Sequence, residues 1–138
     1  MKLSPFEDTL SLFSNLMNEM IPDGPEYWAP KLSITEHEHQ FVIECELPGV
    51  GAEDIQLDVQ DQILEISGER IRPEVMDGHL VRVDERNWGK FRRRIRLDNS
   101  VDRTAIEADY KDGILIITAA RAAESRPRSI AIRPVSSD

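Results

Sequence analysis

The run Ile106 to Thr118 (I-E-A-D-Y-K-D-G-I-L-I-I-T) constrains this chain more than any other stretch. Asp112-Gly113 supplies two residues that tolerate positive φ, as a tight hairpin turn requires. Before the turn, Ile106, Ala108 and Tyr110 alternate with Glu107 and Asp109, the pattern of a strand with one wet face. After it, Ile114 to Ile117 are four aliphatics in a row, the pattern of a strand covered on both faces. A hairpin this apolar needs another apolar segment against its second face, and the rest of the chain has to supply it.

The preceding sequence is built of similar pieces. Leu32 and Ile34 alternate with Ser33 and Thr35, and a polar turn follows at 36–39. Phe41, Ile43, Cys45 and Leu47 form one face of a second strand, broken by Pro48-Gly49. Ile55, Leu57 and Val59 alternate with Gln56, Asp58 and Gln60, and Asp61-Gln62 turns the chain into Ile63 to Gly68. Residues 71–88 make a connection longer than a compact domain usually tolerates without a purpose. It carries a strand-like piece of its own, His79-Leu80-Val81-Arg82-Val83, introduced by Asp77-Gly78. From Gly89 to Leu97 the strand pattern returns, with Phe91, Arg93, Ile95 and Leu97 on one face and Arg92, Arg94 and Arg96 on the other. Short strands at regular turn spacing predict an all-β sandwich or barrel rather than βαβ units.

The two ends differ from this centre. In residues 1–28, Ser4-Pro5-Phe6-Glu7 fits a helix N-cap, a proline at the first helical position and a capping-box glutamate. Leu3, Phe6, Leu10, Phe13, Met17 and Met20 then recur at spacings of three and four, on one helical face, until Pro22, Gly24 and Pro25 end the pattern. That stripe is either a helix packed on its own domain or an arm that meets other chains. The second is favoured, because the remaining sequence already makes a complete β domain and Met and Phe side chains adapt to many surfaces. The segment 123–138 is rich in Ala, Ser, Arg and Pro and reads as a flexible tail. Within it, Ile130 and Ile132 point the same way in an extended strand, as a docking peptide for strand addition does.

Composition bounds the function. A chain of 138 residues holds one domain with tails. The formal net charge of −9 argues against a polyanion partner. A single cysteine permits no internal disulfide and suits a reducing compartment. Acidic residues and Pro5 interrupt any signal-peptide core, and no run approaches the roughly 18 apolar residues of a membrane span. The expectation is a cytoplasmic protein.

The ordered motifs resemble the small heat shock proteins, the Hsp20 family with an α-crystallin domain. Glu46-Leu47-Pro48-Gly49-Val50 with Glu53-Asp54-Ile55 is similar to the family's D-L-P-G-v…E-D-I. Leu64 to Arg70 resembles L-x-I-x-G-x-R, and Glu85 to Arg93 resembles E-R-x-y-G-x-F-x-R. Ala108 to Leu115 matches A-x-x-x-n-G-V-L, and Ile130-Ala131-Ile132 matches I-x-I. Departures are local: Leu97-Asp98 stands for a usual Leu-Pro, Ala119-Ala120-Arg121 for L-P-K, and Ser33 for a common Asp.

The resemblance implies an immunoglobulin-like β-sandwich over 29–122, with a short helical arm before it and an extended tail after it. It implies an ATP-independent holdase that keeps unfolding proteins from aggregating, with no cofactor. It further implies homodimers formed by exchange of the strand His79 to Val83, and larger homo-oligomers formed when Ile130 and Ile132 dock on a neighbouring subunit. The expected groove walls are Ile55, Leu57 and Val59 on one side, and Ile106, Ala108, Ile114 and Ile116 on the other. Arg93, pointing to the apolar side, aligns with the family's inward arginine and calls for a carboxylate or a subunit partner.

Two rival readings come from other classes. Arg82, Arg86, Lys90, Arg92, Arg93, Arg94 and Arg96 concentrate charge as a nucleic-acid module would. Overall acidity and the lack of interleaved stacking aromatics on the outward face oppose it. A co-chaperone of similar sandwich shape would bind one defined partner, against which the I-x-I tail and the apolar arm both stand. Catalysis finds little support. Cys45 faces inward between Glu44 and Glu46, which would not lower its pKa, His37 and His39 lack further metal ligands nearby, and no phosphate-binding glycine loop is present.

Overall fold

The period-two segments become seven strands: β1 (Leu32–Glu36), β2 (Gln40–Glu46), β3 (Ile55–Gln60), β4 (Ile63–Arg70), β5 (Gly89–Arg96), β6 (Val101–Lys111) and β7 (Ile114–Arg121). They belong to a computed structural model that describes residues 26–123 and 129–135. The expected arm helix, with Leu3, Phe6, Leu10, Phe13, Met17 and Met20, lies outside the described residues. All ladders are antiparallel and form two sheets, β1-β2-β7-β6 and β3-β4-β5. The fold is a β-sandwich, one of the two architectures that the alternation allows and the one that the resemblance implies.

Alternation sorts the side chains. Ile43, Cys45, Leu115, Ile117 and Ala119 of one sheet meet Leu64, Ile66, Phe91 and Ile95 of the other in a single buried core. The chain crosses between the sheets at Leu47–Val50 and a 3-10 turn, Ala52–Asp54, and returns after β5.

The opening hairpin forms as the sequence predicts. Asp112 and Gly113 have φ of 54° and 76°, the pair of positive values that a two-residue turn of this hand needs. The hairpin tip is seated on the Leu47-Pro48 corner. Leu47 N–H donates to Gly113 O at 2.8 Å, and a Cβ added at Gly113 would lie 3.0 Å from Pro48 Cα. The Tyr110 hydroxyl lies 2.7 Å from both Leu47 O and Val50 O, and its one proton serves either carbonyl. Burial pushes the Tyr110 phenol above its ordinary pKa, with Arg70 opposing, which keeps the hydroxyl a donor.

One flank of the sandwich is closed by the chain itself. Trp28 N–H donates to Lys90 O and Arg92 N–H to Trp28 O, both at 3.1 Å, so residues 27–29 cover the outer edge of β5. The Trp28 indole donates to Gly89 O and packs on Phe91 with ring centroids 5.2 Å apart. Arg70, buried, lies over the Trp28 ring at 4.4 Å and donates to Asn87 O at 3.0 Å. The base of the 71–88 connection is thereby tied to the start of the domain.

The opposite flank is open. Among the described residues, β3 and β6 each have a strand neighbour on one side only.

Candidate functional site: an open apolar groove

The register of the two edge strands decides which side chains face the open flank. In β3, Ile55, Leu57 and Val59 stand opposite Gly68, Ile66 and Leu64, so they share the face that carries the core. In β6, Ile106 and Ala108 stand opposite the buried Ala119 and Ile117, again on the core face. Ile55, Leu57 and Ile106 pack against the core while remaining partly open, and Val59 is 36% exposed. These side chains lie on the core-facing sides of two strand edges without a strand neighbour among the described residues, and the apolar surface they present is the candidate groove. Tyr110 anchors its wall to the Leu47–Val50 corner near one end. At the other, the Arg103 guanidinium donates to the Asp61 carbonyl in the β3–β4 turn.

The sequence expectation for this groove needs a correction. Ile114 and Ile116 are not part of it. They stand opposite Glu46 and Glu44 of β2, alternating with the core residues Leu115 and Ile117, and face the outside of the four-stranded sheet. The four-aliphatic run is a two-faced strand, but its second face is this outer surface. There Ile114 lines a depression of about 200 Å³ with Lys31, Leu32, Ser33, Glu44 and Glu46. Period two forbids neighbours such as Leu115 and Ile116 from sharing a side.

Two further segments expected to act between subunits are placed at the surface. His79 to Val83 form no strand within the single chain, and Leu80 and Val83 are 73% and 76% exposed. Ile130 and Ile132 are 79% and 93% exposed, in an irregular stretch.

Arg93 faces inward as expected, opposite Ile66, and donates to Pro30 O at 3.0 Å. It also lies close enough to act on Cys45. Burial raises that thiol to about 12, while Arg93 pulls it down and Glu46 pushes it further up. The fully buried Cys45 is therefore a protonated core side chain at neutral pH.

The cations considered for nucleic acid divide between two faces. Arg93 lies on the core face, whereas Arg92, Arg94 and Arg96 share the outer face of the three-stranded sheet, where Arg92 lies over Tyr27 at 4.1 Å and Arg94 stands opposite Glu65; Arg86 lies over Trp88 at 4.2 Å. Among the described residues no cluster of His, Cys, Asp or Glu could hold a metal ion, and no helix is long and apolar enough to cross a membrane.

The comparisons with known proteins bear on this geometry. The Hsp20/alpha crystallin family matches residues 33–133, a span that includes both sheets, the groove and the Ile130-Ala131-Ile132 tail. The chain belongs to the Hsp20/alpha crystallin family. Small heat shock protein C4 of Rickettsia felis is 33% identical over 127 residues, covering 88% of this chain and 78% of that protein. Among solved structures, heat shock protein 16.0 of Schizosaccharomyces pombe superposes with a TM-score of 0.72 at 27% identity, covering 96% of each chain. A small heat-shock protein of Xylella fastidiosa, described as having a distinct high order structure, gives a TM-score of 0.65 at 34% identity. That match covers 78% of this chain and 98% of the other. Membership in the Hsp20/alpha crystallin family supports a chaperone role.

Tyr110 and Arg103 emerge as supports of the groove, and Trp28 as the closure of the opposite flank, in three dimensions. Tyr110 is visible in the sequence as the last inward position before the turn. Arg103 and Trp28 carry no such signal, because each acts through a backbone carbonyl or a backbone ladder remote in sequence.

Proposed function

We propose that this protein is an ATP-independent holdase that captures partly unfolded proteins and assembles through its own exposed segments. The observation that carries the reading is the coexistence, in one chain, of two apolar strand edges without a strand neighbour and exposed apolar segments that can cover such edges. Ile130 and Ile132 are the segment for the groove of Ile55, Leu57, Val59, Ile106 and Ala108. His79 to Val83 is the strand for a dimer partner. The family resemblance and the high order structure described for the Xylella fastidiosa relative support assembly of this kind. Tail release exposes groove and arm together, which gives unfolding clients apolar surface without nucleotide. On this reading the protein needs no cofactor, performs no catalysis and does not bind nucleic acid. The carboxylates Asp58, Glu65 and Glu69 share the outer sheet face with Arg92, Arg94 and Arg96, which weakens any polyanion site there.

Purified protein added to a heat-labile test client without ATP should suppress the client's light scattering at near-stoichiometric subunit ratios. Unaltered aggregation across a tenfold excess would overturn the reading.

Arg93 gives a second check. Arg93→Gly removes the donor to Pro30 O and adds backbone freedom to a strand, costing about 2–3 kcal/mol. Its assembly should shrink or become heterogeneous alongside a lowered melting temperature. A normally sized and normally stable variant would show that Arg93 supports neither fold nor assembly.

A further inference from the structure

We infer that docking of the tail is electrostatically matched to the groove, so that Arg128 and Arg133 select it and ionic strength regulates assembly. The inference rests on the docking reading above and adds the charges that flank it. In a chain of net charge −9, residues 126–133 carry Arg126, Arg128 and Arg133 and no acid. The segments that wall the groove, 54–61 and 101–111, carry Asp54, Asp58, Asp61, Asp102, Glu107 and Asp109 against two bases, Arg103 and Lys111.

The positions of these acids follow from the register. Asp58 alternates with the groove-facing Leu57 and Val59 on one edge strand, and Glu107 and Asp109 alternate with Ile106 and Ala108 on the other. Both rims are therefore acidic beside an apolar floor. Arg103 is engaged with the Asp61 carbonyl at one end, and Lys111 stands at the hairpin tip at the other. The central part of the rim thus holds acids without an intervening base.

Lengths agree as well. From Arg128 to Arg133 an extended chain spans about 17 Å, and from Asp54 to Asp61 about 23 Å at the same rise per residue. With Ile130 and Ile132 in the groove, the flanking guanidiniums fall within the acidic stretch. At that range, surface charges interact within one Debye length, about 8 Å at physiological salt, and are screened as salt rises. Arginine suits this role because its charge does not titrate and its planar fork matches a carboxylate. The acidic rim also disfavours the chain's own arm as a competitor, since residues 1–26 hold Lys2 against Glu7, Asp8, Glu19, Asp23 and Glu26.

The test uses the full chain carrying Ile130→Ala and Ile132→Ala as receptor, so that its own tails leave the grooves free. Fluorescent peptides of residues 124–138 are titrated into it at low and high NaCl. The natural peptide should bind, and weaken as salt rises. A peptide with Arg128→Gln and Arg133→Gln should bind roughly fivefold more weakly at low salt, with little salt dependence. Asp58→Asn with Asp109→Asn in the receptor should flatten the salt dependence of the natural peptide in the same way. If the natural and Gln peptides bind alike at every salt concentration, charge matching is overturned while docking stands. If a peptide with both isoleucines changed to alanine binds as well as the natural one, or if the natural peptide does not bind, the docking reading itself fails.

Discussion

The full-length variant Ile130→Ala with Ile132→Ala is expected to collapse the assembly to dimers or small species while the domain melts as before. Burying an isoleucine fully stabilises by roughly 1.5–3 kcal/mol, so docking both gives about 3–6 kcal/mol gross. Ordering the tail takes back part of this, which leaves each contact weak and reversible. Many such contacts in one particle hold by avidity, and removing the isoleucines from every tail removes all of them at once. The fold should not notice, because Ile130 and Ile132 are 79% and 93% exposed in the single chain. Static light scattering reads the size and thermal melting reads the fold. Unchanged large oligomers would sink docking through this motif, whereas small species with a lowered melting temperature would point to general damage instead.

The fold was largely legible from the residues because its two signals are local. Period-two alternation places Phe41, Ile43 and Cys45 on one face and Asp112-Gly113 at the turn without knowledge of any distant contact. Local signals also set the limit of that legibility. Alternation shows that Ile114 and Ile116 oppose Leu115 and Ile117, but it does not say which of the two faces borders the groove. That depends on sheet order, which places β6 at an edge and β7 inside. The closure of one flank was invisible for a different reason. Trp28 joins β5 mainly through backbone hydrogen bonds, which leave no side-chain pattern in the sequence. The length of the 71–88 connection was readable, but a strand with no partner in its own chain does not form a ladder there. Its exposed Leu80 and Val83 are what an exchange between subunits would use.

Gly68→Ala should be among the most damaging single-methyl changes in the domain, and it tests how the groove edge is held. Gly68 pairs with Ile55 on one side and Phe91 on the other, at the place where β3 leaves the 3-10 turn. A Cβ there would sit 2.0 Å from Asp54 O and 2.6 Å from Phe91 Cζ. Neither neighbour can yield easily. Asp54 O is backbone at the end of the 3-10 turn, and Phe91 is fully buried at the centre of the core. Overpacking of this kind costs about 3 kcal/mol, which lowers the melting temperature by roughly 12–24 °C for a domain of this size. Moving Asp54 also moves the start of β3, and with it Ile55 and Leu57 on the groove side of that strand. The same substitution at Gly78 separates this effect from backbone strain. Gly78 has φ of +80°, yet a Cβ there meets nothing within 4 Å, so Gly78→Ala should cost about 1–2 kcal/mol, from backbone strain alone. Peptide binding to the groove should fall in Gly68→Ala and persist in Gly78→Ala. If the two variants melt together, the close approach of Asp54 to Gly68 does not hold the edge, and β3 is positioned by its ladder with β4 alone.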